Sequence, residues 1–394
     1  MSPLSAGAPL PLAGLRVVDF SRLLPGPYAT LALADLGADV IKIEAPEGGD
    51  YLRWMPPLSG EVSHAFSALN SGKRSLAVDL KAPAGAALVA ALAARADVVV
   101  ESFRPGVMTR LGLGYDALSA VNPGLIYCAL SGFGHDGPYA AEAGHDLNYA
   151  SLAGVIGLGG PVDRPPALPP AQIADYGGSL WALVAVLSAL HARHRSGEGA
   201  FLDVSMTEGA LSFLTASLAP LIAGAGAAPQ RGADLLTGGQ PCYDVYATAD
   251  GRYFGIAPLE PKFWASFCKA IGRPEWLKRQ YGDAALRGDL EALFASRTRD
   301  AWEHALAWAG ACCQPVLVPD ELAEHPLHVA RGNVLTDAAG HRRLRTPARP
   351  RAAAPPGPAP RLGEHSRAIA LELGFDDADV ARLVAAGVLL DGAG

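Results

Sequence analysis

Two short segments carry the residues best suited to chemistry, Ala-Gly-His-Asp-Leu-Asn-Tyr at 143–149 and Ile-Ala-Asp-Tyr-Gly-Gly-Ser at 173–179. Each sets one proton-transfer residue, His145 or Asp175, among small neighbours. An imidazole and a carboxylate on opposite sides of one carbon can remove a proton from one face and return it to the other, which inverts the centre. Residue type alone also fits plainer roles. Asp175 stands where a helix N-cap belongs, ahead of an apolar run at 180–190, and His145 suits a buried, hydrogen-bonded histidine.

These residues need a large scaffold. A chain of 394 residues exceeds what one core normally supports, so two domains are expected. With 50% hydrophobic and 18% charged residues it can fill substantial cores. A net charge of −7 argues against a nucleic-acid footprint. No stretch of eighteen uncharged apolar residues stands out as a membrane span, and the start of the chain lacks the basic and apolar regions of a secretory signal. Five cysteines (Cys128, Cys242, Cys268, Cys312 and Cys313) form an odd set with no Cys-x-x-Cys pair, which suits reduced thiols in a cytoplasmic protein.

From Leu15 the pattern reads strand, turn, helix, strand. Arg-Val-Val-Asp-Phe is followed by a Pro-Gly-Pro turn, an Ala-rich helix, Gly37 and Val-Ile-Lys-Ile-Glu. A second round runs through Ser-Leu-Ala-Val-Asp-Leu and a helix at 84–94, and a third strand begins at Leu125. Strands apolar throughout and alternating with helices predict an α/β fold with a parallel, Rossmann-like sheet covered on both faces. Glu44 ends the second strand where a ribose-binding acid would lie, yet Pro25, Gly26 and Pro27 fill the first turn in place of a Gly-x-Gly-x-x-Gly cradle, which argues against a dinucleotide. One long apolar helix is expected from Thr207 to about Ala223. Further on, Ala-Asp-Gly between two aromatic-rich runs at 243–257 signals a hairpin, and the proline-rich stretch 344–360 should lack regular structure. The expected division is a large domain from 1–205 and 326–394, a connector at 206–231, and a smaller α+β domain at 232–325.

Several separated motifs, in order, resemble the family III CoA-transferase superfamily and, within it, the alpha-methylacyl-CoA racemases. They run from Val-Val-Asp-Phe-Ser-Arg-Leu-Leu-Pro-Gly-Pro-Tyr-Ala through Lys-Arg-Ser-Leu-Ala-Val-Asp-Leu-Lys, Phe-Arg-Pro-Gly-Val, Leu-Ser-Gly-Phe-Gly and Ala-Gly-His-Asp to Leu-Gly-Glu-His-Ser at 362–366. The resemblance implies that His145 and Asp175 are the two bases and that Glu260 pairs with the histidine. It also implies CoA contacts from Lys73, Arg74, Val78, Asp79, Leu80, Lys81, Ser102, Phe103, Arg104 and Arg110, and from Gly144, Asp146 and Tyr149. Mammalian racemases carry a nucleotide-contacting Arg where this chain has Ala45, so Lys42 is the expected substitute. An interlocked homodimer is implied, with Glu260 reaching His145 across subunits.

The proton alpha to a thioester carbonyl is a poor acid, so the enolate oxygen needs donors. Backbone N–H groups after Asp175, near a helix start, are the expected ones. No separate cofactor or metal is expected, since CoA arrives with the substrate and both protons come from side chains. His325 and His328 lack further ligands and read as loop residues. Two rivals stand. In family transferases the residue matching Asp175 attacks the thioester as a nucleophile, and the segment at 237–241 resembles their glycine loop. The other rival is a CoA-ester binder without catalysis, which would have no use for His145, Asp175 and Glu260 together. The acyl group is not legible.

Overall fold

The computed structural model describes residues 9–60 and 62–392. The chain divides into two compact units, one of 1–153, 172–212 and 326–394, the other of 154–171 and 213–325. The sequence reading placed 154–171 in the large domain, whereas the structure gives that segment to the second unit. The expected helix at 207–223 is two helices, Met206–Ser212 and Thr215–Ile222, and the chain passes from one unit to the other between them.

The first unit is built on a seven-stranded sheet. Numbered within this sheet, its strands are β1 (Arg16–Asp19), β2 (Asp39–Glu44), β3 (Arg74–Val78), β4 (Val98–Glu101), β5 (Ile126–Ser131), β6 (Ala200–Ser205) and β7 (Leu389–Leu390). Their spatial order is β7-β3-β2-β1-β4-β5-β6. All neighbours are parallel except β7, which runs antiparallel to β3 with Leu389 opposite Val78. Val18, Ile41, Leu76, Val99 and Tyr127 are buried in one cluster with Leu88 and Leu92 of the helix Pro83–Ala93, so apolar runs became strands covered by helices.

The strand order turns back between β1 and β4. In an open parallel sheet a crevice opens there, outside the carboxyl ends of the strands. Helix α1 (Pro25–Asp35) starts on Pro25, whose fixed φ suits the first helical position, and is followed by Gly37 at φ 103. Its neighbours include helix α3 (Ile173–Ser196), which also packs on β5, β6 and the helix Met206–Ser212. By length and hydropathy alone α3 is apolar enough to cross a bilayer, and 33% of its window is buried inside the unit.

The second unit has its own core. The expected hairpin pairs Asp244–Ala247 with Tyr253–Ile256, and Cys313–Pro315 adds a third strand. Phe294 sits at the centre, with ring centroids 5.4 Å from Tyr246, 5.7 Å from Phe254 and 5.1 Å from Trp302. Aromatic rings of this size supply most of the buried apolar area of so small a unit.

Candidate active site

His145 is the residue before helix α2 (Asp146–Leu152), with an extended backbone at φ −127 and ψ 176. Asn148 closes the turn, its Oδ1 accepting the His145 N–H at 3.0 Å and its N–H donating to the His145 carbonyl at 2.8 Å. The imidazole is exposed and lines a cleft of about 430 Å³ with Ser102, Phe103, Arg104, Gly144 and Tyr149. Two glycines make room for this wall. A Cβ on Gly132 would lie 2.2 Å from the Tyr149 ring and one on Gly144 2.5 Å from it. Tyr149 itself is held by its hydroxyl, which donates to the Gly144 carbonyl, and by an edge-on contact with Phe133 at 5.0 Å. The first glycine of Ser-Gly-Phe-Gly and the glycine of Ala-Gly-His-Asp are therefore set by the ring they flank.

Asp175 lies inside the first turn of α3, two residues after the helix begins at Ile173, and so is not the N-cap. The cap is supplied from elsewhere. Asp146, the neighbour of His145, accepts the Ala174 N–H at 2.7 Å and the Asp175 N–H at 3.1 Å on a single oxygen, Oδ1. One carboxylate thereby ties the start of the helix that follows His145 to the start of the helix that carries Asp175. Asp146, expected as a CoA contact, thus also acts as a cap through Oδ1.

Partial burial and the nearby Asp146 charge push the Asp175 carboxyl up to about 7. An acid titrating there can hold or give up a proton near neutrality. The same capping corrects one expectation. The N–H groups at this helix start are taken, two by Asp146 and that of Tyr176 by the Gln172 carbonyl at 3.0 Å, so they are not open to an enolate oxygen. The backbone of α3 also approaches Met206–Ser212 so closely that a Cβ on Gly178 would lie 2.6 Å from Met206 Cγ and one on Gly209 2.7 Å from the Gly177 carbonyl carbon. The Gly-Gly pair after Asp175 thus fixes where the helix, and its carboxylate, can sit.

A second hollow of about 220 Å³ lies at the carboxyl ends of β1, β2 and β3, bordered by Val78, Asp79, Leu80, Lys81, Phe103 and Ala45. Arg22 borders it as well, its guanidinium 4.9 Å from the Phe103 ring and 5.6 Å from Tyr51. Sequence reasoning passed over Arg22, although it directly follows β1 within the quoted Ser-Arg-Leu-Leu-Pro-Gly-Pro motif. Ser102 of the cleft wall links it to this rim, its Oγ accepting the Arg22 N–H at 3.3 Å. Arg104 is exposed on the 430 Å³ cleft with no ion pair among the described residues. Arg110 is exposed at the end of the helix Val107–Arg110, and neither hollow includes it.

Three expected phosphate contacts are committed elsewhere. Lys42 is fully buried, 2.9 Å from Asp50 and donating to the Ser21 carbonyl at 2.8 Å, so it cannot stand in for an Arg at Ala45. Lys73 is equally buried, bonded to Asp19 at 3.1 Å, Thr30 at 2.7 Å and Asn70 at 2.9 Å. Arg74 pairs with Asp39 at 2.8 Å and Glu372 at 2.6 Å, at the amino end of the strands and away from the crevice. Glu44, the would-be ribose acid, is locked in a bidentate pair with Arg53 at 2.8 and 2.7 Å.

Glu260 lies in the second unit, immediately before the helix Pro261–Ala270. The preceding carbonyls are pinned, those of Pro258 and Leu259 by Gln280 at 2.9 and 2.8 Å and that of Leu259 also by the Tyr281 hydroxyl at 2.6 Å. Its own carboxylate is exposed and carries no hydrogen bond or ion pair among the described residues. No group of three or more His, Cys, Asp or Glu capable of holding a metal occurs among the described residues.

Comparisons with known proteins agree with this layout. Residues 12–366 match the model of CoA-transferase family III. The chain is 35% identical to alpha-methylacyl-CoA racemase of Homo sapiens, over 94% of this chain and 96% of that one. It is 32% identical to succinyl-CoA:glutarate CoA-transferase of Mus musculus, over 96% and 90%. A crystal structure of a CAIB/BAIF family protein from Brucella suis superposes with a TM-score of 0.81 at 36% identity, covering 93% of this chain and all of that one.

Proposed function

This chain belongs to CoA-transferase family III, an enzyme superfamily of racemases and CoA-transferases, and from that premise we propose that it epimerises 2-methylacyl-CoA thioesters by proton transfer through an enolate. The observation that carries the reading is the Asp146 carboxylate, which joins the helix start beside His145 to the helix start bearing Asp175, where burial, with the Asp146 charge adding to it, raises the carboxyl to about 7. In one direction His145 takes the alpha proton, the C–H electron pair moves into the thioester carbonyl as an enolate, and protonated Asp175 delivers its proton to the opposite face. His145 then holds a proton and Asp175 has none, and the reverse direction uses the same two groups in exchanged roles.

In this reading Glu260 orients the imidazole and supports it when charged, reaching it from a partner subunit in a homodimer. Arg22, Lys81, Arg104 and Arg110, which carry no ion pair among the described residues, are cations suited to CoA phosphates, and the hollow beside Phe103 suits the adenine ring. No further cofactor or metal takes part, the protein works in the cytoplasm, and its substrates place it in lipid metabolism. The test is incorporation of deuterium at the alpha carbon of 2-methylacyl-CoA esters in deuterated water. His145→Ala and Asp175→Ala should each lose about 10² to 10⁴ in rate, and full exchange in both variants would defeat the assignment.

Transfer remains as a second reading because the transferase relatives are comparably similar. There Asp175 would attack the thioester carbonyl as a carboxylate, forming a mixed anhydride and releasing CoA thiolate. Hydroxylamine trapping of an acylated Asp175, with a carboxylate acceptor turning over, would favour it.

A further inference from the structure

Two loops wall the cleft that holds His145, the segment 102–105 after β4 and the segment 132–144 after β5. Behind them lies a separate hollow of about 220 Å³ whose lining includes Glu101, Tyr127, His135 and Phe201. Glu101 ends β4, is 2% exposed, and its Oε2 accepts the Phe103 N–H at 2.7 Å, so its carboxylate shapes the first loop directly. His135 belongs to the second loop. Its N–H is held by both Asp203 oxygens at 3.2 and 3.0 Å, and its ring stands edge-on to Phe201 at 5.5 Å.

The imidazole so anchored points at the carboxylate. His135 Nε2 is buried, has no hydrogen-bond partner, and lies 3.6 Å from Glu101 Oε1. Buried polar atoms are seldom left unpaired, and closing less than 1 Å would give a charge-assisted bond of ordinary length. From this geometry we propose that His135 is a positioning residue, whose imidazolium clamps onto Glu101, joins the two loops and holds the cleft in the form that receives the CoA ester. The ligand named here rests on the function proposed above, while the clamp itself is a property of the two loops.

The groups facing His135 favour the charged ring. They are Glu101 on β4, Asp203 on β6, Tyr127 on β5, and Tyr115 and Asp116 on the helix Tyr115–Val121, with no cation among them. The Glu101 carboxylate beside the ring raises the His135 titration above the ordinary histidine value, burial opposes this, and the Asp203 charge adds to the rise. The clamp therefore holds at acidic to neutral pH and releases as pH rises through that raised value.

Hydrogen–deuterium exchange of the unliganded protein and of His135→Gln, across pH 5.5 to 9, tests it. After correction for intrinsic exchange, the parent should show about fivefold protection of 102–105 and 132–144 at low pH that disappears at high pH, with the glutamine variant unprotected throughout. His135→Lys, cationic across the range, should keep protection at high pH. The affinity of parent and glutamine variant for CoA should differ in the same pH-dependent way, because titration of the CoA phosphates is common to both. Equal pH dependence in parent and glutamine variant, in exchange or in affinity, overturns the clamp. Failure of CoA to bind any of the proteins counts against the proposed function, and the exchange data still decide the clamp.

Discussion

Asp146→Asn isolates the charge that acts on Asp175. The asparagine keeps an Oδ1 able to accept the Ala174 and Asp175 N–H groups, so the cap survives while the negative charge goes. Asp146 Oδ1 lies 3.1 Å from the Asp175 backbone nitrogen. The side chain of Asp175 then places the two carboxylates roughly 6 Å apart, where like charges repel by about 3 kcal/mol at an effective dielectric of about 20. Partial exposure screens this to about half, or about one pH unit. Burial is the larger cause of the raised value and is untouched. The pH profile of kcat/KM for alpha-proton exchange should be a bell whose constants belong to the His145–Asp175 pair. In Asp146→Asn the sum of the two constants should fall by about one unit, so that the bell moves to lower pH. A bell at the parental pH would refute the charge argument, and loss of activity at every pH would show that Asp146 does more than cap and repel.

Other outcomes follow from the same geometry. Asp175 titrates higher in the folded chain than its ordinary 3.8, so the fold holds a proton there that the unfolded chain releases, and stability falls as pH rises from about 4 to about 7. Asp175→Asn, which cannot ionise, should match the parent near pH 4 and exceed it by about 2 to 4 kcal/mol at pH 8 in urea titrations, and a constant difference across pH would contradict this. Lys73→Met leaves Asp19 buried without its ammonium and should destabilise the protein by about 3 to 5 kcal/mol. A stable Lys73→Met variant with weakened CoA binding would instead return Lys73 to the phosphate-binding role read from the sequence.

Much of the fold was legible because its signals are local. Apolar strands such as Val-Ile-Lys-Ile and the Ala-Asp-Gly hairpin each specify an element from a few residues and are placed as read, while Pro-Gly-Pro, read as a turn before the helix, forms the helix's first residues because proline suits that position. The site was legible as residue types in motifs, and less so as roles. Lys42, Lys73 and Arg74 read as ligand cations because a sequence does not say which acid stands opposite them. Asp19 comes from β1, Asp50 from the loop after β2 and Glu372 from the far end of the chain. Asp175 read as a cap because its true capping group, Asp146, is supplied from a different helix start. Composition does mark 154–171, where half the residues are glycine or proline, but such a stretch reads as a connecting loop and does not say which unit it packs on.

The environment of Asp175 serves both chemistries of the family, which is why the carboxylate alone does not choose between them. A nucleophile must be ionised and an acid must be protonated, and a group titrating at about 7 offers both forms near neutrality. What differs is the residue across the reacting carbon. Inversion through an enolate needs a base at one face of the alpha carbon and an acid at the other, and under the proposed racemisation His145 on the cleft wall is that partner. His145→Asn keeps a polar side chain of similar reach but no group that titrates. It should abolish inversion while leaving Asp175 able to exchange the alpha proton with retention, seen as deuterium uptake by one enantiomer without loss of optical purity. Inversion that persists in this variant would remove His145 from the reaction and with it the racemase reading.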